Sequence, residues 1–133
     1  MEDKPILVTG GTGYVGGRLI PRLLEAGYGV RAMARSPERL YCRPWGRHAA
    51  LEVVPGDALD RQAFVDAGRG CGTAYYLIHS MNARKGQFAQ ADRAAAENMV
   101  AAASANRMAR IIYLGGLGEK SHEALSRHLK SRH

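Results

Sequence analysis

Short apolar runs alternate along the chain with longer stretches whose apolar residues recur every three or four positions. Ile6-Leu7-Val8-Thr9 reads as a buried strand that ends in a glycine cluster. After it, Val15, Leu19 and Leu23, together with Ile20 and Leu24, fall on one helical face. Gly27 and Gly29 end that helix. Pro21 inside it lacks a backbone donor, which predicts a bend between Gly17 and Pro21. Val30 to Ala34 is a second strand, and Ser36-Pro37-Glu38 opens a short helix with Ser36 as the cap. Leu51 to Val54 is a third strand, followed by Pro55-Gly56-Asp57. Asp60 caps a short helix that runs to about Ala67. Thr73 to Ile78 is a fourth strand, Gln87 to Asn106 a long Ala-rich helix, and Arg110 to Leu114 a fifth strand closed by Gly115-Gly116. Ser121 to about Arg132 is a last helix.

Strand and helix in repeated alternation argue for a parallel sheet with helices on both faces. The strands are continuous apolar runs, as both-sided cover requires. Right-handed crossovers leave few topologies. The expected fold is therefore α/β, a doubly wound parallel sheet of about five strands in the order 3-2-1-4-5, as one domain over residues 1–133. In such a sheet a ligand crevice opens at the carboxyl ends of strands 1 and 4, where the order reverses.

The sharpest local feature sits at that place. In Val8-Thr9-Gly10-Gly11-Thr12-Gly13-Tyr14-Val15-Gly16-Gly17, the glycines at 10, 13 and 16 have the spacing GxxGxxG. Gly10 lets the chain leave the strand in a tight turn, Gly13 lets backbone approach a pyrophosphate, and Gly16 lets the helix pack closely on the sheet. The helix amino end offers free N–H groups and a positive dipole end to phosphates. A glycine spacing alone is weak; a strand before it and an amphipathic helix after it make it a dinucleotide seat. No Lys-Ser or Lys-Thr pair follows, which disfavours a mononucleotide P-loop. The second strand ends Ala34-Arg35-Ser36 without a carboxylate. An acid there suits the ribose of NAD, whereas Arg35, with Ser36, suits the 2′-phosphate of NADP. The cofactor expectation is NADP in preference to NAD, with a surface arginine as the plain alternative for Arg35.

Composition adds limits. Over 133 residues, 46% are hydrophobic and 23% charged, as in an ordinary globular domain. No apolar run approaches the ~20 residues of a membrane span. The N-terminus lacks the layout of a signal peptide, so a cytoplasmic protein is expected. The net charge is +7, but the arginines are scattered from Arg18 to Arg132 without a dense block. That argues against nucleic acid and suits a phosphate-rich small molecule. Cys42 and Cys71 form no CxxC pair, so reduced thiols and no metal site are expected.

These residues resemble the short-chain dehydrogenase superfamily, in its extended and atypical branch of epimerase/dehydratase-like proteins. The resemblance rests on residues Thr9 to Gly17, Val30 to Pro37, Val54 to Ala58, Tyr75 to Ser80, Ala96-Glu97-Asn98 and Arg110 to Gly116. It implies an NAD(P)-binding Rossmann domain in which Gly10, Thr12, Gly13 and Gly16 form the loop and Tyr14 and Val15 offer N–H groups to the pyrophosphate. Asp57, with Ala58 beside it, would accept from the adenine amino group; a turn carboxylate bonding nearby backbone is the alternative. Leu77 and His79 would line the cofactor at the fourth strand's end, or His79 is an ordinary edge histidine. Asn98 is expected to be structural. The implied partner besides the cofactor is a small carbonyl or hydroxyl substrate, a sugar nucleotide among them, and a homo-oligomer is compatible with the family.

Active members of that family use a Tyr-xxx-Lys pair. The fourth residues after Tyr14, Tyr28, Tyr41, Tyr75, Tyr76 and Tyr113 are Arg, Ala, Trp, His, Ser and Leu, so no such pair occurs in this sequence and no catalytic residue is assigned. Two expectations follow: an amino-terminal piece of an oxidoreductase whose substrate lobe lies elsewhere, or a protein that binds NADP to sense it or as a scaffold.

Overall fold

The structure, a computed structural model, describes residues 4–78 and 88–114. Five parallel strands form one sheet: β1 (Ile6–Thr9), β2 (Val30–Ala34), β3 (Leu51–Pro55), β4 (Thr73–Tyr76) and β5 (Arg110–Tyr113). Their spatial order is β3-β2-β1-β4-β5, as the alternating pattern predicts. The helices between them are α1 (Tyr14–Glu25), α2 (Glu38–Tyr41), α3 (Arg61–Ala67) and α4 (Phe88–Ala105).

Strands β1 to β4 divide their side chains between two cores. Val8, Val30, Ala32 and Ala34 pack with Ile20, Leu23 and Leu24 of α1 and Leu40 of α2. Leu7, Met33, Ala74 and Tyr76 pack with Phe64 and Ala67 of α3 and Ala95, Met99 and Ala102 of α4. The period of two along these four strands thus meets helical faces on both sides, and the central strand β1 has Leu7, Val8 and Thr9 fully buried.

The ends of the helices follow local rules, with one correction. α1 ends at Gly27 (φ 92°), where Gly27 N–H donates to the Leu24 carbonyl and Tyr28 N–H to the Leu23 carbonyl. It runs as one helix with Pro21 inside it. Asp60 caps α3 by accepting from Ala63 N–H at 3.1 Å. Ser36 does not cap α2 as expected. Pro37 occupies the cap position in helical conformation without a side-chain cap, and the Ser36 carbonyl accepts from Arg39 N–H at 3.0 Å. A helix of one turn satisfies its first donor by that backbone bond instead. The helix expected over residues 121–132 lies outside the described residues.

Candidate functional site

The register sets Val54, Met33, Thr9, Tyr76 and Tyr113 in one row across the carboxyl ends of the strands. Between β1 and β4 the order reverses: α1, which follows β1, packs on one face of the sheet and α4, which follows β4 in the chain, on the other, the arrangement at which a ligand crevice is expected. Two bonds join its floor: Leu77 N–H donates to the Thr9 carbonyl at 3.1 Å, and Thr9 Oγ1 donates to the Tyr75 carbonyl at 3.2 Å.

The glycine loop rises from that floor. Gly10 takes φ 86°, and a Cβ on it would stand 2.9 Å from the Leu77 carbonyl carbon, so only glycine fits between β1 and β4 here. Gly13 N–H closes the turn onto the Gly10 carbonyl at 3.1 Å. A Cβ on Gly13 would meet nothing nearer than that carbonyl oxygen, at 3.4 Å. The backbone of Gly13 therefore stays bare without the fold requiring it. Gly16 is different: a Cβ there would overlap the Gly10 carbonyl oxygen and lie 2.6 Å from the Gly11 Cα. Gly16 thus seats α1 against the loop itself, not against the sheet as expected from sequence.

Gly13 is the N-cap of α1 and supplies no side chain, and the first turn holds no acid. The N–H groups of Tyr14, Val15 and Gly16 are the orphan donors of this helix end, with the dipole's positive pole behind them. Thr12 is half-buried beside them. Tyr14 is 75% exposed, and the Arg18 guanidinium lies over its ring, 4.4 Å from the centroid. Arg43, which no motif in the sequence marks, brings its guanidinium to 3.5–3.6 Å of where a Gly17 Cβ would be. Among the described residues, none of Arg18, Arg35 and Arg43 is in a salt bridge. The recurrence of Arg35, Arg39, Arg43 and Arg47 every fourth residue is the signal that could have found it.

The remaining expected residues sit on the neighbouring strand ends. Exposed Arg35 and half-buried Ser36 directly follow β2. Asp57 and Ala58 directly follow Gly56 after β3. Asp57 Oδ1 accepts from Leu59 N–H at 2.9 Å, the turn role weighed above, and Oδ2 has no protein donor among the described residues. Ala58 is buried, and its carbonyl accepts from Asn98 Nδ2 at 2.8 Å, which gives Asn98 the structural bond expected of it. Leu77 is buried at the end of β4. His79 lies outside the described residues. No group of His, Cys, Asp and Glu that could hold a metal occurs among the described residues, and no described helix is long and apolar enough to cross a membrane.

The bare backbone at Gly13, the uncapped donors of α1 and the Arg18 and Arg43 guanidinium groups, neither in a salt bridge among the described residues, gather at the amino end of α1. Fold and loop define a dinucleotide-binding domain of the doubly wound kind. The chain belongs to the NAD(P)H-binding family, whose model matches residues 10–131. Among similar proteins are the Zea mays dihydroflavonol 4-reductase, 35% identical over 86 residues (61% of this chain, 24% of that protein), and the Streptomyces griseus (4-alkanoyl-5-oxo-2,5-dihydrofuran-3-yl)methyl phosphate reductase, 45% identical over 74 residues (56% of this chain, 24% of that protein). Of solved structures, Pen from Bacillus thuringiensis superposes with a TM-score of 0.81 at 16% identity, covering 98% of this chain and 42% of that one. The Citrobacter sp. triphenylmethane reductase does so at 0.76 and 22% identity, covering 96% and 42%. The structures show the fold alone. The chain spans about a quarter of the length of these curated relatives. The resemblance to short-chain dehydrogenases agrees with the family match and with the reductases among the relatives.

Proposed function

We propose that the chain is the NADP(H)-binding domain of an extended-type short-chain oxidoreductase that acts on a small carbonyl or hydroxyl substrate. The observation that carries this is the pairing of a bare, donor-rich glycine loop with Arg35, and no carboxylate, at the end of β2. In this reading Gly10, Thr12, Gly13 and Gly16 shape the loop, and the Tyr14 and Val15 N–H groups bind the pyrophosphate. Arg35 and Ser36 take the 2′-phosphate, with Arg43 adding charge from the α1 side. Asp57 and Ala58 meet the adenine, and Leu77 and His79 line the path towards the nicotinamide. When bound, a reduced nicotinamide would supply a hydride to a carbonyl and an oxidised one would accept it from a hydroxyl; these residues would bind and orient it, and none is assigned a proton transfer. The reductase names of the relatives support hydride transfer to a small substrate.

Fluorescence titration with NADPH and NADH tests the reading. NADPH is expected to bind about tenfold tighter, a difference of ~1.4 kcal/mol. Clearly tighter NADH, or no binding of either, overturns it. The absence of a Tyr-xxx-Lys pair in the sequence favours one second reading, a cofactor-sensing protein. That reading expects NADPH binding to change affinity for a protein partner, and a partner interaction indifferent to NADPH and NADP removes it.

A further inference from the structure

Helix α4 carries Asn98, Asn106 directly follows its last residue, and both reach the segment that contains α3. Asn106 Nδ2 donates to the Val65 carbonyl of α3 and to the Ala102 carbonyl in the last turn of α4, each at 2.9 Å. It ties α4 to the body of α3. Asn98 Nδ2 donates at 2.8 Å to the Ala58 carbonyl, in the loop between β3 and α3.

That loop is fixed from several sides. Gly56 N–H donates to the Ala34 carbonyl at 3.0 Å, and a Cβ on Gly56 would stand 2.8 Å from Met33 Sδ. Asp57 Oδ1 accepts from Leu59 N–H, and the Asp57 carbonyl accepts from Asp60 N–H, each at 2.9 Å. Two loop groups have no protein partner among the described residues: Asp57 Oδ2, an acceptor, and the Ala58 N–H, a donor. An acceptor beside a donor is the complement of the adenine edge, which presents the N6 amino group as donor and N1 as acceptor. Asn98 holds the other end of the same residue, one peptide unit from that N–H.

We propose that Asn98 is a positioning residue for base recognition. By holding the Ala58 carbonyl it fixes the Ala58 N–H and the Asp57 carboxylate in the spacing that adenine requires. The proposal rests on the dinucleotide reading above. Hypoxanthine inverts the same edge, with an acceptor at position 6 and a donor at N1. A loop held in one geometry rejects it, and a loosened loop rejects it less.

The test titrates NADPH and reduced nicotinamide hypoxanthine dinucleotide phosphate into the wild-type chain, Asn98→Ala, Asn98→Ser and Asn106→Ala, with urea unfolding of each. The wild type is expected to prefer adenine about tenfold, and both Asn98 variants to lose about threefold or more of that preference, the scale of one hydrogen bond. Asn106→Ala is expected to lose similar stability with the preference intact. Asn98 variants that keep the wild-type preference overturn the proposal, because a tether to the fold then accounts for the bond. A wild type that binds NADPH without base preference overturns it too while leaving the dinucleotide reading standing. Failure of the wild type to bind NADPH sinks both.

Discussion

A Cβ at Gly13 meets only the Gly10 carbonyl oxygen, at 3.4 Å, whereas one at Gly16 overlaps that oxygen and nears the Gly11 Cα at 2.6 Å. Gly13 has φ −81°, open to any residue. Gly13→Val is therefore expected to cost under about 1 kcal/mol in urea unfolding, the scale of a changed N-cap. It should lower NADPH affinity at least tenfold. Gly16→Val should unfold the chain by about 1–3 kcal/mol or more, as forced overpacking does. Equal stability loss in the two variants would contradict this division of roles. A second residue to probe is buried Cys71. Burial pushes its thiol up; the Arg31 guanidinium, with Nη1 3.5 Å from Sγ, draws it down, and Glu52 pushes it up. The folded thiol therefore keeps its proton at a pH where the unfolded one ionises. The stability it contributes is whole below the ordinary thiol value of about 8.5 and is lost as pH rises through the raised folded value. Urea unfolding at a series of alkaline pH values should show that decline, and Cys71→Ala should flatten it; an unchanged slope in the variant would refute the assignment.

At the scale of elements, α1 and α4 end in the same way with different residues. After α4, Arg107 takes φ 54°, its N–H donates to the Ser104 carbonyl at 3.3 Å, and Met108 N–H donates to the Ala103 carbonyl at 2.9 Å. This is the bond pattern that Gly27 makes after α1, but a side chain in the left-handed region costs about 1 kcal/mol. Arg107→Gly is expected to raise the unfolding free energy by about 0.5–1 kcal/mol. No gain in the urea midpoint would argue against strain at Arg107. Alternation and helical period made the strands, their order and α1 legible in the sequence, and Gly27 and Asp60 marked two ends through purely local chemistry. The contact of Arg43 with Gly17 and the bond of Asn98 to Ala58 join distant segments, where period carries no information. The true neighbour of Gly16 is only six positions back, but it shows only once the loop folds back under the helix before the helix meets the sheet. Ser36 was misjudged because one turn of helix leaves a backbone carbonyl close enough to replace a side-chain cap.

At the scale of the whole molecule, the candidate site draws on segments after β1, β2, β3 and β4, so one ligand would bridge four of the five strands. A site assembled from four strand ends exists only in the folded chain, so binding stabilises the fold by mass action. At a free concentration one hundred times its dissociation constant, NADPH should add about 2.7 kcal/mol and raise the melting temperature by on the order of 10 °C. NADH at the same concentration should add less, because the Arg35 guanidinium then faces no 2′-phosphate. Arg35→Glu separates this from any general effect of the +7 charge, since one substitution moves the net charge by only two while placing a carboxylate at the end of β2. The variant is expected to lose most of the NADPH shift and keep or gain the NADH shift, measured by thermal denaturation in matched salt. Equal losses for both cofactors would mean that Arg35 acts through bulk electrostatics, and the assignment of the 2′-phosphate to the end of β2 would fall.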